Sequence, residues 1–258
     1  MRKIFFIISI FFLKFSTFNP IVAAENSIYK KIDISKFLKI NTDNFNLDNV
    51  MFLDFETINI NEYTFDTLPY VENINKPEIF MIGFVYKSKK SKYKWQYKCI
   101  YCKEYTKKEE KRVLEEFVDF WKYLGKPMIY FWSAETAIWD RCKRNNNYDF
   151  MNKIDSTVWK DLKKVFEVNE IVIKGCKSFS VKDITKSMNI NGFLTLKYDT
   201  DCSNGYDAMI YAYNYYKKNN KNRTVKDQEI FQDIIKYNKI DCKILYELVM
   251  FLKTCQNS

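Results

Sequence analysis

The stretch Val50-Met51-Phe52-Leu53-Asp54-Phe55-Glu56-Thr57 decides how this chain is read. Its first half is apolar on both alternating sets of positions, the pattern of a central sheet strand buried on two faces. Strand side chains alternate, so Asp54 and Glu56 project from one face, two residues apart. Carboxylates placed among core residues are costly unless something compensates. A buried salt bridge or a polar strand end is the plain account, and a bound metal ion is the other.

A second acid occupies an equally apolar setting near the other end of the sequence. Residues from about Val225 to Lys253 read as one long helix with an apolar stripe through Ile234, Tyr237, Leu245 and Leu248. The steps are three or four residues, and Asp241 falls on that same stripe. Tyr237 precedes it by one turn, in the run Tyr237-Asn238-Lys239-Ile240-Asp241.

Composition narrows the chemistry. The 258 residues suffice for one α/β domain with a tail, and the absence of histidine is informative. It removes Ser-His-Asp and Cys-His catalysis and His-ligated zinc. Metal chemistry would have to use carboxylates, which suits Mg2+ or Mn2+. Of the seven cysteines, only Cys99 and Cys102 have metal-like spacing, and no second pair completes a zinc site. The cysteines therefore read as reduced thiols. The formal net charge is +10. A basic surface favours a polyanionic partner, although an AT-rich coding sequence also enriches lysine.

Residues 1–24 carry Arg2, Lys3 and Lys14, an apolar run from Ile4 to Leu13 and the small-residue pattern Val22-Ala23-Ala24. This meets the description of a secretory signal peptide, or of an apolar leader, and the run is too short for a typical membrane span. Residues 25–48 read as a polar linker with one weak helix near Ile34–Ile40. Strands are expected at Val50–Phe55, Ile79–Tyr86, Tyr93–Tyr101 and Pro127–Trp132. Helices are expected at Lys108–Leu124, Ala134–Lys143 with Ser133 as cap, Val158–Phe166, Ser180–Met188 and Tyr206–Tyr216, before the long final one. Three strands in hairpin style followed by strand and helices predict an α/β fold, a mixed sheet with helices outside.

Asp-x-Glu on a first strand, an acid opening a middle helix, and Tyr-x-x-x-Asp on a last helix resemble the four-carboxylate exonucleases of the ribonuclease H-like fold. The branch most resembled is the YprB-type, whose site carries a tyrosine. Softer marks in the same order are Phe80-Met81-Ile82-Gly83, Glu109-Glu110, Asp161-Leu162, Phe179-Ser180-Val181-Lys182 and Gly205-Tyr206-Asp207-Ala208. The resemblance covers about Asp54 to Leu252 and implies a ribonuclease H-like domain over 49–254. It implies Asp54, Glu56, Glu135 and Asp241 as ligands of two Mg2+ or Mn2+ ions, with Tyr237 orienting the attacking water. The implied activity is hydrolysis of phosphodiester bonds in DNA or RNA, commonly from the 3′ end. Two ions about 3.5–4 Å apart can neutralise the phosphate, activate water and stabilise the leaving oxygen. Such chemistry favours an intracellular location, against the signal-like leader. The alternative is a ribonuclease H-like module that binds nucleic acid without cutting it.

Three assignments stay open on sequence alone. Asp140 rivals Glu135 as third acid; on a helix the two point about 140° apart, and Asp140 can instead pair with Arg144. Lysines 87, 89, 90, 92, 94 and 98 interleave with Tyr93, Trp95 and Tyr97. They make either a strand-binding surface with stacking rings or a solvated hairpin whose rings pack inward. Lys182 either contacts a phosphate or caps a turn, Asp161 reads as a helix cap, and Trp132 and Trp139 read as core.

Overall fold

The computed structural model describes residues 47–58, 77–87, 94–196, 198–218 and 220–256. The leader, nearly all of the polar linker and its weak helix, Tyr93 and the lysines at 89, 90 and 92 lie outside the described residues. In order, the elements are β1 (Val50–Thr57), β2 (Ile79–Lys87), β3 (Trp95–Tyr101), α1 (Lys107–Tyr123), β4 (Met128–Phe131) and α2 (Glu135–Asn146). Then follow β5 (Trp159–Asp161), α3 (Leu162–Val168), α4 (Val181–Ile190), α5 (Gly205–Lys217) and α6 (Val225–Gln256). The result is an α/β fold with one five-stranded mixed sheet, ordered β3-β2-β1-β4-β5, flanked by helices. β2 runs antiparallel to both β1 and β3, while β4 pairs parallel to β1 and β5 parallel to β4.

The described residues fall into two compact units. The larger, Asn46–Lys164 with Leu196–Glu247, holds the whole sheet, α1, α2, α5 and most of α6. The smaller holds Val165–Thr195, including α4, and α6 from Leu248 onward; within it Phe193 packs on Phe251 with ring centroids 5.0 Å apart. No described helix is long and apolar enough to cross a membrane.

β1 is central, and its two faces differ as the alternation requires. Met51, Leu53 and Phe55 face α1 and α2: Phe55 stacks on Trp139, and the paired strand β2 sends Phe84 against Phe117 and Phe120. Phe52, Asp54 and Glu56 face α6, with Phe52 edge-on to Tyr246. The acid pair is thereby carried beneath the long helix.

Two local expectations are corrected. Val158–Phe166 is not one helix. Trp159-Lys160-Asp161 pairs with Ile129-Tyr130-Phe131 as an added strand, and the helix begins only at Leu162. Burial of Trp159 against Phe55, Phe131 and Trp139 overrides the local helical pattern. Nor does Ser133 cap α2. Ala134 holds the cap position without a side-chain bond, and Ser133 turns through φ +77° in the left-handed region. Trp139 is core, whereas Trp132 is only half-buried.

A fully buried acid braces the sheet near its entry. Glu110 on α1 accepts from the backbone N–H groups of Glu78 and Ile79, at 2.6 and 3.0 Å, and pairs with Lys107 Nζ at 2.9 Å. Glu110→Ala strands those donors and is expected to cost about 3 kcal/mol in urea unfolding. The exposed pair partner Glu115→Ala should cost under about 1 kcal/mol. Equal effects would mean that the brace contributes nothing special.

Candidate functional site

All the acids singled out on the two sequence motifs meet in the larger unit. Asp54 and Glu56 come from the middle and end of β1, Glu135 from the first turn of α2, and Asp241 from α6. Glu56, Glu135 and Asp241 are buried, at 4%, 5% and 8% exposure, and Asp54 is half-buried. The α6 stripe is as expected: Ile234, Tyr237, Leu245 and Leu248 are buried beside Asp241. Asp140 lies on the exposed side of α2, and among the described residues it makes no ion pair with Arg144. Lys182 sits in the first turn of α4, in the smaller unit.

The turn that presents Glu135 is tied to β5. Asp161 Oδ1 accepts from Ser133 N at 3.1 Å and from Lys163 N at 2.9 Å, so it caps α3 and holds the β4–α2 turn together. The capping role was legible in the sequence; the bond to Ser133 was not.

Electrostatics mark the cluster as unfinished. Burial raises the Asp54 carboxyl well above its ordinary range, and the nearby charges of Glu56, Asp241 and Glu135 raise it further. Glu56 is pushed up to about 8, first by burial and then by Asp241, against an opposing hydrogen bond from Asn238. Glu135 is also pushed up to about 8, by burial and by Asp161 and Asp241, against backbone N–H groups at its helix start. Among the described residues no ion pair involves Asp54, Glu56 or Glu135, and Glu135 Oε2 is buried without a hydrogen-bond partner.

Two tyrosines close the site. Tyr237 stacks on Tyr198, with centroids 5.8 Å apart and planes 28° apart. The Tyr198 hydroxyl donates to Asp241 Oδ1, and Tyr237 also hydrogen-bonds Asp241. Burial and the neighbouring carboxylates hold both phenols above their ordinary range, so both stay protonated. Tyr198 has no sequence signal: it lies in an irregular stretch between α4 and α5 that carries no periodicity.

Asn238, between Tyr237 and Asp241, carries no signal of its own in the sequence. It is fully buried on α6, and its Nδ2 donates to Asp54 Oδ2 at 2.8 Å and Glu56 Oε1 at 3.2 Å. Its Oδ1 accepts from the Tyr97 hydroxyl at 2.9 Å. The signal that could have exposed it is Gly83, a glycine inside a run of large apolar residues, which marks close approach of another group.

The lysine-rich hairpin turns its described rings inward. Trp95 packs on Tyr246 and Phe52, at 4.8 and 5.6 Å, and Tyr97 is engaged by Asn238. Lys98 pairs with Glu116 at 3.2 Å and lies over Phe120, while Lys87 pairs with Asp48. Trp95 and Tyr97 are thus packing residues rather than stacking platforms.

Four hard oxygen donors around a buried, unpartnered carboxyl oxygen have the chemistry of a Mg2+ or Mn2+ site. As the side chains lie, no group of three or more among the described residues forms a ready-made metal cage. Asn238 draws on Asp54 and Glu56, and Tyr198 on Asp241. No protein-family model, curated protein or solved structure matches the chain.

The raised carboxyls predict a sign for the pH dependence of stability. With ordinary values of 4.5 and folded values near 8, Glu56 and Glu135 keep protons in the folded chain that the unfolded chain has released. Metal-free stability should therefore fall as pH rises from about 5 to about 8. Thermal melts in chelator should show this decline, and Glu135→Gln should flatten it and raise Tm at pH 8. A parent whose Tm is level or rising over that window would contradict the buried, repelling cluster.

Proposed function

We propose that this chain is a metal-dependent nuclease that hydrolyses phosphodiester bonds of DNA or RNA, acting as a 3′-5′ exonuclease of the ribonuclease H-like, YprB-type kind. The observation that carries the reading is the convergence of Asp54, Glu56, Glu135 and Asp241 from three separate elements onto one buried place, with a Glu135 oxygen left unpartnered. A five-stranded mixed sheet flanked by helices is compatible with it. The net charge of +10 suits a polyanionic substrate.

In this reading Asp54, Glu56, Glu135 and Asp241 would hold Mg2+ or Mn2+, which would supply positive charge to the phosphate and make a water a better nucleophile. The chain's own residues do the rest. A bound cation would favour the ionised carboxylates, since its charge would offset the repulsion that now raises them. Tyr237 supplies a hydroxyl one turn from Asp241, where it orients the attacking water rather than acting as a strong base. Its stack on Tyr198 fixes the ring plane. Glu135 is the third acid and Asp140 a solvent-facing residue.

End-labelled DNA and RNA oligonucleotides, incubated with Mg2+ or Mn2+ and with chelator, test the proposal. Shortening of 5′-labelled strands by single nucleotides, stopped by chelator, is the expected result; binding without cleavage would favour a non-catalytic module. Asp54→Ala and Asp241→Ala should each abolish cleavage while the chain stays folded by circular dichroism. Glu135→Gln should reduce activity far more than Asp140→Asn, and the opposite order would move the third acid.

Tyr237→Phe keeps the ring and its stack but removes one hydroxyl. Turnover should fall roughly 10²-fold, the scale of a positioned acid–base group, with little change in substrate KM. A kcat within about twofold of the parent would reduce Tyr237 to a packing residue.

A further inference from the structure

We infer that Asn238 is the positioning residue of the β1 acid pair, and that Gly83 and Tyr97 exist in their places to seat and orient its amide. The inference rests on the proposed metal-dependent reading and adds to it a residue outside the four acids and Tyr237. One amide group touches both carboxyls of the pair: Nδ2 lies 2.8 Å from Asp54 Oδ2 and 3.2 Å from Glu56 Oε1, and 3.3 Å from the Asp54 backbone carbonyl. The donor therefore bridges the residues from the side of α6 and leaves the second oxygen of each carboxyl uncommitted to it.

The amide is engaged on both of its polar atoms. Its Oδ1 receives the Tyr97 hydroxyl at 2.9 Å and the Cys242 thiol at 3.8 Å. As it lies, the amide turns its NH2 to two carboxyls and its oxygen to a hydroxyl and a thiol. An amide pinned at its oxygen is a fixed donor at its nitrogen, which is what an orienting partner of a ligating carboxylate requires.

The seat for this amide is made by the absence of a side chain. Gly83 pairs with Asp54 across β1 and β2, directly beneath α6. A Cβ on Gly83 would stand 1.5 Å from Asn238 Oδ1 and 2.6 Å from its Cγ. No rotation of a neighbouring tip relieves such a clash; the amide itself must leave. Glycine weakens a strand interior, and its presence between Ile82 and Phe84 is explained by the group that lies over it.

The test uses the whole chain and two independent readouts, Mn2+ affinity by titration calorimetry and Tm in chelator. Asn238→Ala should lower Mn2+ affinity about 10–100-fold, the range for loss of an outer hydrogen-bond partner of a metal ligand. Gly83→Ala should lower both affinity and Tm, because the amide is displaced by force. In the double variant the clash partner is gone, so Tm should recover above that of Gly83→Ala while affinity stays low. A merely structural asparagine would move the two readouts together. Parental affinity in Asn238→Ala, or affinity that recovers with Tm in the double variant, overturns the inference. Should Asn238→Ala fail to fold, Tyr97→Phe decides: about tenfold weaker Mn2+ binding supports the pinned amide, and parental binding overturns it. If the parent itself binds no Mn2+ and cuts no oligonucleotide, the metal reading falls and takes this inference with it. If the parent binds and cuts while Asn238→Ala matches it, the inference alone falls.

Discussion

Everything around the centre of this sheet is arranged by one constraint: carboxyl groups have been taken out of water and set near one another, and among the described residues Asp54, Glu56 and Glu135 have no ion pair. Taking such groups out of water opposes ionisation, and so does their mutual proximity. The metal-free chain answers by protonation, with Glu56 and Glu135 pushed up to about 8, and by hydrogen-bond donors brought in from α6 and the chain before α5. Asn238 and Tyr198 are those donors. Each occupies carboxyl oxygen lone pairs, and among the described residues the acids converge without closing into a cage.

Much of this was legible in the sequence because it rests on periodicity. Alternation along Val50–Thr57 put Asp54 and Glu56 on one face, and the three-and-four spacing of α6 put Tyr237 and Asp241 on its buried stripe. Facing also meant that only one of Glu135 and Asp140 could turn inward, and burial shows that it is Glu135. What periodicity does not encode was missed. β5 is three residues long and exists only because β4 offers it a partner and Trp159 a place in the core. Tyr198 reaches Asp241 from irregular chain 43 residues away. Ser133 looked like a cap by residue type, yet its backbone N–H is claimed by Asp161.

Asn238 and Gly83 belong to a middle class, visible but uninterpreted. A buried asparagine in a helix and a glycine among Phe80, Met81, Ile82 and Phe84 each break a local preference. Separately they read as tolerated defects. Only the β1–β2 register, which sets Gly83 opposite Asp54, turns two defects into one contact. Breaks in local rules that meet in space point to a site more strongly than either break alone.

The chain also contains its own control for what a structural acid looks like. Glu110 is more deeply buried than any of the four site acids, yet it has two backbone N–H donors on one oxygen and the Lys107 ammonium on the other. That is how a fold settles a buried carboxylate that it merely needs for bracing. Glu135, in the same unit and 5% exposed, has an oxygen with no partner at all. The same chain that satisfies Glu110 completely leaves Glu135 unfinished, and leaves it facing other acids. A buried polar atom without a partner lowers stability and is retained where it serves something besides stability. The difference between these two glutamates, more than the burial of either, supports the proposed reading in which the acid cluster serves a ligand.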